Sequence, residues 1–216
     1  MTNNLELGRD RHADVLALLA GHCPDLPLSG TEIAHVRWGG VDAAIAYLPN
    51  HAEQARRRRA GLTAVTRLDQ LDLMMDLPAG LPVHPGSLTE PSRRMIKRLP
   101  RGCVEATPDG VTRLIVKPLD VRLAIVSKTL WRAGLKYTSR FAPYCNRVLT
   151  LWGEPKDLGQ AATEADFWGI GLVVNFKTSP RLVVAPERFE QYRHTPAGWS
   201  FAEEIWRQID LERARS

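Results

Sequence analysis

Lys128, Arg132, Lys136 and Arg140 stand four residues apart in Lys128-Thr-Leu-Trp-Arg-Ala-Gly-Leu-Lys-Tyr-Thr-Ser-Arg-Phe-Ala, a stretch that reads as helix. At 3.6 residues per turn such positions drift by only about 40° per step, so the four cations share one stripe. Trp131, Leu135 and Ala142 point another way and can hold the helix on a core. The stripe lies in a basic segment. From Ser92 to Arg147 thirteen Lys or Arg stand against three acids, a local net charge of +10 in a chain whose total is +5. Such a stripe neutralises the phosphates of a polyanion, largely without reading sequence. The plainer alternative is a solvated helix face.

Other residue groups carry weaker chemistry. Arg93, Arg94, Lys97 and Arg98 form one face if Pro91 opens a helix there, and that patch could extend the stripe. The run Arg56 to Arg59 spreads over about 300° of a helix and cannot form a single face, although it could share a phosphate with Arg67. Ser127 beside Lys128 is a Ser/Lys pair by type, but neighbours in a strand point to opposite faces, so the pair would need irregular backbone. The six histidines include no i, i+4 pair. His12 and His22, ten apart, are the nearest thing to a metal-ligand set and too sparse for one. His194, beside Arg193 and Tyr192, reads as a surface group. The three cysteines lie in no CxxC or CxxH spacing. Neither a disulfide framework nor a structural zinc is expected, and Cys103 and Cys145 read as core thiols. Trp131, Tyr137, Phe141 and Tyr144 are interleaved with the stripe or follow it. Core packing is the expected role, with stacking on single-stranded bases the alternative. That favours the backbone of duplex DNA as partner. Trp168, Trp199 and Trp206 read as core or as a homodimer surface. Gly169-Ile-Gly follows a helix instead of preceding one, so it is no nucleotide-binding loop and reads as close packing against a helix.

The elements around these residues suggest an α+β protein. At 216 residues, 44% hydrophobic and 25% charged, the chain is long enough to bury a core and ordinary for a globular protein. No apolar run is long enough for a bilayer and the polar start is not that of a signal peptide, so no membrane partner and a cytoplasmic location are expected. Arg in excess of Lys, with frequent Ala, is also what a GC-rich bacterial genome produces. Residues 1–77 read as a small helical region, with helices over Arg9–Gly21, from Ser29 or Thr31 to Val36, Val41–Leu48, His51–Gly61 and Leu68–Leu77. Residues 78–100 read as a Pro-rich arm. Residues 101–216 read as a mixed sheet flanked by helices. Thr107-Pro-Asp-Gly turns a hairpin, Val121–Ser127 is a third strand feeding the stripe helix, and Arg147–Trp152 is a fourth. A helix over Leu158–Phe167, strands over Gly169–Phe176 and Arg181–Ala185, and a closing helix over Pro196–Arg213 complete the order.

Ala124-Ile-Val-Ser-Lys-Thr-Leu-Trp-Arg-Ala-Gly-Leu, Asn146-Arg-Val-Leu-Thr-Leu-Trp and Glu164-Ala-Asp-Phe-Trp-Gly-Ile-Gly-Leu-Val-Val together resemble the restriction-endonuclease-like PD-(D/E)XK superfamily over roughly residues 101–186. The resemblance implies a restriction-endonuclease-like domain in which carboxylates and a lysine surround Mg²⁺ for phosphodiester hydrolysis. Lys128 matches the family's lysine. Val126 stands where its carboxylate belongs, and Leu114-Ile-Val-Lys offers no aspartate. A displaced set of Asp120 and Glu105 around Lys128 would be needed to hold Mg²⁺. The expectation is therefore a DNA-binding protein with a non-catalytic nuclease-like domain and no cofactor. Lys128, Arg132, Lys136 and Arg140 are its expected phosphate contacts, with Arg93, Arg94, Lys97 and Arg98 beside them. The alternatives are a Mg²⁺-dependent endonuclease built on Lys128, Asp120 and Glu105, and an antitoxin-like or accessory module binding an acidic protein.

Overall fold

A computed structural model of the chain describes residues 3–175, 179–191 and 193–215. Phe176, expected at a strand end, and Tyr192, expected beside a surface histidine, lie outside them. The elements run α1 (Asn3–His22), β1 (Glu32–Trp38), β2 (Val41–Pro49), α2 (His51–Ala60), α3 (Leu68–Asp76), β3 (Pro82–Val83) and α4 (Glu90–Ile96). They continue β4 (Val104–Thr107), β5 (Gly110–Arg113), β6 (Leu119–Lys128), α5 (Trp131–Thr138), β7 (Asn146–Leu151), α6 (Leu158–Phe167), β8 (Gly171–Val174), β9 (Arg181–Val184) and α7 (Pro196–Arg213). The fold is α+β, with one six-stranded mixed sheet and one three-stranded sheet. Among the described residues no helix is long and apolar enough to cross a membrane.

The chain divides into two interleaved units, residues 1–48 with 121–191 and residues 49–120 with 192–216. The sequence reading placed its boundaries at 77 and 101. Its reading of residues 1–77 as helical is corrected, because Glu32–Pro49 is an antiparallel hairpin. The reason lies in its turn. Gly39 and Gly40 both have positive φ, 55° and 77°, which a two-residue hairpin turn with right-handed twist requires. Alanine at positions 43, 44 and 46 favours a helix locally, but the turn and the pairing of a strand buried continuously from Ala43 to Tyr47 override it.

In the first unit the sheet order is β1-β2-β6-β7-β8-β9, with β6, β7 and β8 parallel and the β1–β2 and β8–β9 pairs antiparallel. Side chains alternate across it. Leu123 and Ile125 of β6, Val148 of β7 and Val173 of β8 join Val15 and Leu19 of α1 in one core layer. Leu149, Leu151, Leu172 and Val174 join Trp131 and Leu135 of α5 and Ala161 and Ala165 of α6 in the other. The helix α5 lies close on β7: a Cβ on Gly134 would meet a Leu149 methyl at 2.5 Å. Tight packing on a sheet therefore explains a glycine in mid-helix. Gly169, by contrast, ends α6 with φ of 64°, and Gly171 faces Pro186 and Val148, so neither serves the helix contact expected of them.

The second unit packs α3 and α7 with the sheet β3-β5-β4 around Leu71, Met74, Leu77, Cys103, Val111, Ile115 and Trp199. The hairpin β4–β5 forms as its Pro108-Asp-Gly turn requires, yet it belongs to this sheet and not to the one holding β6. The expected arm is structured as well, since β3 pairs with β5 and Pro91 sits in the first turn of α4. A buried ion network ties the helices together. Arg57, 0% exposed, binds Glu53 at 2.6 Å and Glu203 at 2.6 and 2.7 Å and donates to the Val116 carbonyl. Glu203 also accepts from the Val65 backbone and the Trp199 indole. The Arg56–Arg59 run is thus no phosphate surface at its centre. Arg57 is a core residue and Arg56 is held by Glu53 and the Gly102 carbonyl.

Removing one member of a buried pair leaves the other charge uncompensated. Arg57→Met is expected to destabilise the chain by about 3–5 kcal/mol, read as a lower urea midpoint. A loss below about 1 kcal/mol, typical of an exposed pair, would show the network to be solvated. Burial pushes the Glu53 carboxyl up, but Arg56 and Arg57 outweigh it and hold it below the ordinary range. Its stabilisation is therefore present above the unfolded carboxyl value of about 4.3 and is lost as pH falls through the lower folded value. Glu53→Gln should flatten that acid limb.

Candidate functional site

The C-terminal end of β6 carries two kinds of chemistry on its two sides. Ser127 follows Ile125 towards α1, while Lys128 follows Val126 towards α5, because strand neighbours point to opposite faces. No irregular backbone pairs Ser127 with Lys128. The sequence argument against a Ser/Lys dyad holds.

On the α5 side, the expected four-residue stripe is not one helix face. α5 covers only Trp131–Thr138, so Lys128 ends a strand and Arg140 sits in the 3-10 turn Ser139–Phe141 that follows. The structure sorts the cations into two groups. Lys128 and Arg140 both lie on the Tyr137 ring, 5.0 and 5.2 Å from its centroid. Arg140 also donates to the Gly39 carbonyl in the β1–β2 turn. Arg132 instead stacks on Trp131 and is held by Gln160 and Asp157. Lys136 is exposed. Among the described residues no carboxylate pairs with Lys128, Lys136 or Arg140, which leaves three cations whose charge is not neutralised by the fold. Of the interleaved aromatics, two take the core role expected of all four, while Tyr137 and Tyr144 are half-buried. Trp131 and Phe141 are buried, and Trp38 packs on Phe141 and edge-on to Tyr144.

On the α1 side a hydrogen-bonded chain runs through four side chains. His35 Nε2 lies 3.1 Å from His12 Nδ1, His12 Nε2 lies 3.1 Å from Ser127 Oγ, and Ser127 Oγ lies 2.7 Å from Thr150 Oγ1. His12 comes from α1, His35 from β1, Ser127 from β6 and Thr150 from β7. The register pairs Ser127 directly with Thr150. His12 is 7% exposed and Thr150 is fully buried, while His35 and Ser127 are half-buried. Sequence spacing gave no sign of this group, since its members lie 23 to 115 residues apart. Only the alternation along β6, which turns Ser127 away from Lys128, points towards it. His22, the expected companion of His12, is exposed and caps its own helix by bonding the Leu18 carbonyl.

The remaining candidates separate. Asp120 and Lys128 stand at opposite ends of the ten-residue strand β6, so about 26 Å of extended backbone divides them. Glu105 is exposed on β4, in the other sheet. Among the described residues no group of three or more His, Cys, Asp or Glu is placed to hold a metal ion. Arg93 and Arg94 both bind Glu90, whereas Lys97 and Arg98 are exposed. The basic segment also crosses the division of the chain, with seven of its thirteen cations in residues 49–120 and six in 121–191. Arg113 is turned inward onto the Met74 carbonyl and the Trp199 ring, and Arg147 onto the Trp168 carbonyl. Trp199 and Trp206 are core residues, but Trp168 is 54% exposed beside Phe167 at 77%.

Comparison with family models, curated proteins and solved structures finds no match to this chain. Its chemistry is read from its own geometry. The cysteines, for instance, are all buried thiols, and burial pushes Cys103 up to about 11 and raises Cys23 and Cys145 as well. Thiolate is the reactive form, so Ellman's reagent at pH 8 should find no fast-reacting thiol in the native chain and three after denaturation. A thiol that reacts at once in the native chain would contradict that burial.

Proposed function

We propose that this chain binds the phosphate backbone of duplex DNA through Lys128 and Arg140, which share the Tyr137 ring, and the exposed Lys136 of α5. The observation that carries the reading is that these three cations have no acidic partner among the described residues, while Arg132, Arg93, Arg94 and Arg181 each have one. Unneutralised cations attract a polyanion and release its counterions on binding. The aromatics favour backbone contact over base stacking, because Trp131 and Phe141 are buried and the Tyr137 ring is already engaged by two cations. Arg132 drops to a minor contact, since Asp157 offsets its charge.

We read the run β6, Lys128, α5 and the parallel strand β7 as the part of the chain that resembles the restriction-endonuclease-like superfamily. The domain is read as non-catalytic, because buried Val126 stands in the carboxylate position and Asp120 is far along the strand.

The test is fluorescence anisotropy of a labelled duplex of about 25 base pairs, titrated at several salt concentrations without Mg²⁺. Three or more neutralised phosphates give a log–log salt slope of about −3 or steeper. Lys136→Ala should make it shallower by about one. Lys136 is the cleanest probe because it is exposed and makes no described contact with the fold. An absence of binding even at low salt would overturn the reading and turn attention to an acidic protein partner.

A further inference from the structure

We propose that Ser127 is a nucleophile activated by His12 and positioned through His35, and that it hydrolyses a neutral carboxylic ester. This is independent of DNA binding, since it uses the opposite side of β6 from Lys128.

The argument begins with connectivity. A serine hydroxyl is a weak nucleophile until a base within hydrogen-bond reach takes its proton, and the base must be held in one tautomer by a third group. Here His12 Nε2 is 3.1 Å from Ser127 Oγ, and its other nitrogen is 3.1 Å from His35 Nε2. With the Nδ1 proton of His12 donated to His35, Nε2 is left as the acceptor facing Ser127. A nucleophile, a base and an orienting group therefore stand in the order that acyl transfer needs. The three sit on different elements, and the two imidazole rings are tilted by 56° with centroids 5.0 Å apart, so the pair is joined end to end instead of stacked. Thr150 fixes the far side of Ser127 at 2.7 Å.

Position supports the same role. Ser127 and Thr150 lie at the carboxyl ends of two parallel strands, where the chain leaves the sheet and ligands commonly reach α/β sites. Ser127 is half-buried, so the residue keeps part of its surface in solvent. The layer on this side of the sheet is apolar: Val15, Ile125, Val148 and Val173 are fully buried in it, and Trp152 and Leu182, packed against them, keep part of their surface exposed. Lys128 is directed to the other face. A neutral ester with an apolar acyl group suits that face better than a phosphate.

The step balances as follows. Ser127 Oγ bonds to the carbonyl carbon while its proton passes to His12 Nε2. The tetrahedral intermediate collapses, and the leaving alcohol takes that proton as the ester C–O bond breaks. Water then attacks the acyl-serine and gives a proton to His12, and Ser127 Oγ leaves with it, so ester and water become acid and alcohol. Ser127 and His12 are catalytic residues in this scheme, and His35 is a positioning residue.

The experiment treats the full chain with a fluorophosphonate probe and maps the adduct by mass spectrometry, alongside hydrolysis of p-nitrophenyl acetate and butyrate. The adduct should fall on Ser127 and be lost in Ser127→Ala, whose retained fold is checked by an unchanged circular dichroism spectrum and urea midpoint. His12→Gln should lower ester turnover by about 100-fold or more. His35→Ala should shift the inflection of the kcat/KM pH profile, and His35→Gln, whose side-chain oxygen can accept the same hydrogen bond, should restore it. No adduct on Ser127, or hydrolysis unchanged in folded Ser127→Ala, would overturn the proposal.

Discussion

A guanidinium with no exposed surface organises residues 49–120 and 192–216. Arg57 cannot be neutralised, so taking it out of water is tolerable only if its donors are met. They are met by Glu53 one turn earlier on α2, by Glu203 on α7, 146 positions away, and by the Val116 carbonyl, with the Trp206 ring 4.9 Å from the guanidinium carbon. Glu203 is satisfied in turn by Val65 and Trp199. The partners come from α2, α7, Val65 and the Val116 segment, so the network specifies which segments meet. An apolar core of Leu71, Met74, Leu77 and Ile115 supplies burial but could slide. Bidentate charge pairing cannot slide without stranding a charge. That constraint explains how a C-terminal helix comes to share a unit with residues from the middle of the chain.

The six-stranded sheet obeys a simpler constraint, the alternation of side chains along a strand. In β6, Leu123, Ile125 and Ser127 belong to the α1 layer, while Val126 and Lys128 belong to the α5 side. The buried part of the strand fixes this register, because a slip of one residue would move every apolar side chain to the wrong layer. The two polar residues at the strand's end inherit their directions from it. Core packing thus aims Ser127 at His12 and Lys128 at Tyr137.

Much of this was legible in the sequence, and the exceptions have physical reasons. The helices Leu158–Phe167 and Pro196–Arg213 run as their periodicity predicts, and β6 extends the expected Val121–Ser127 by a few residues. The hairpin Glu32–Pro49 was hidden because Ala-rich Val41–Leu48 scores as helix, and only Gly39-Gly40 signalled the turn. The division of the chain was hidden because a unit placed between β2 and β6 leaves no compositional seam. Arg57 was hidden because an arginine run reads as surface, and its partner Glu203 cannot be guessed from a position 146 residues away. The stripe was half legible. Its residues lie near one another, but a strand end, a short helix and a 3-10 turn carry them.

Charge counted along a sequence and charge available to a ligand are different quantities. The +10 of residues 92–147 overstates the second, because Arg93, Arg94 and Arg132 are paired with acids. What remains beside α5 is a group of three, and three well-placed cations already suffice for a salt-dependent phosphate contact. The histidines show the converse. Scattered along the chain they imply nothing, yet α1 lying over the sheet brings His12 between His35 and Ser127. Packing subtracts from the chemistry a sequence displays on one face of β6 and adds to it on the other. The two functional readings therefore stand on separate observations, and the failure of either leaves the other intact.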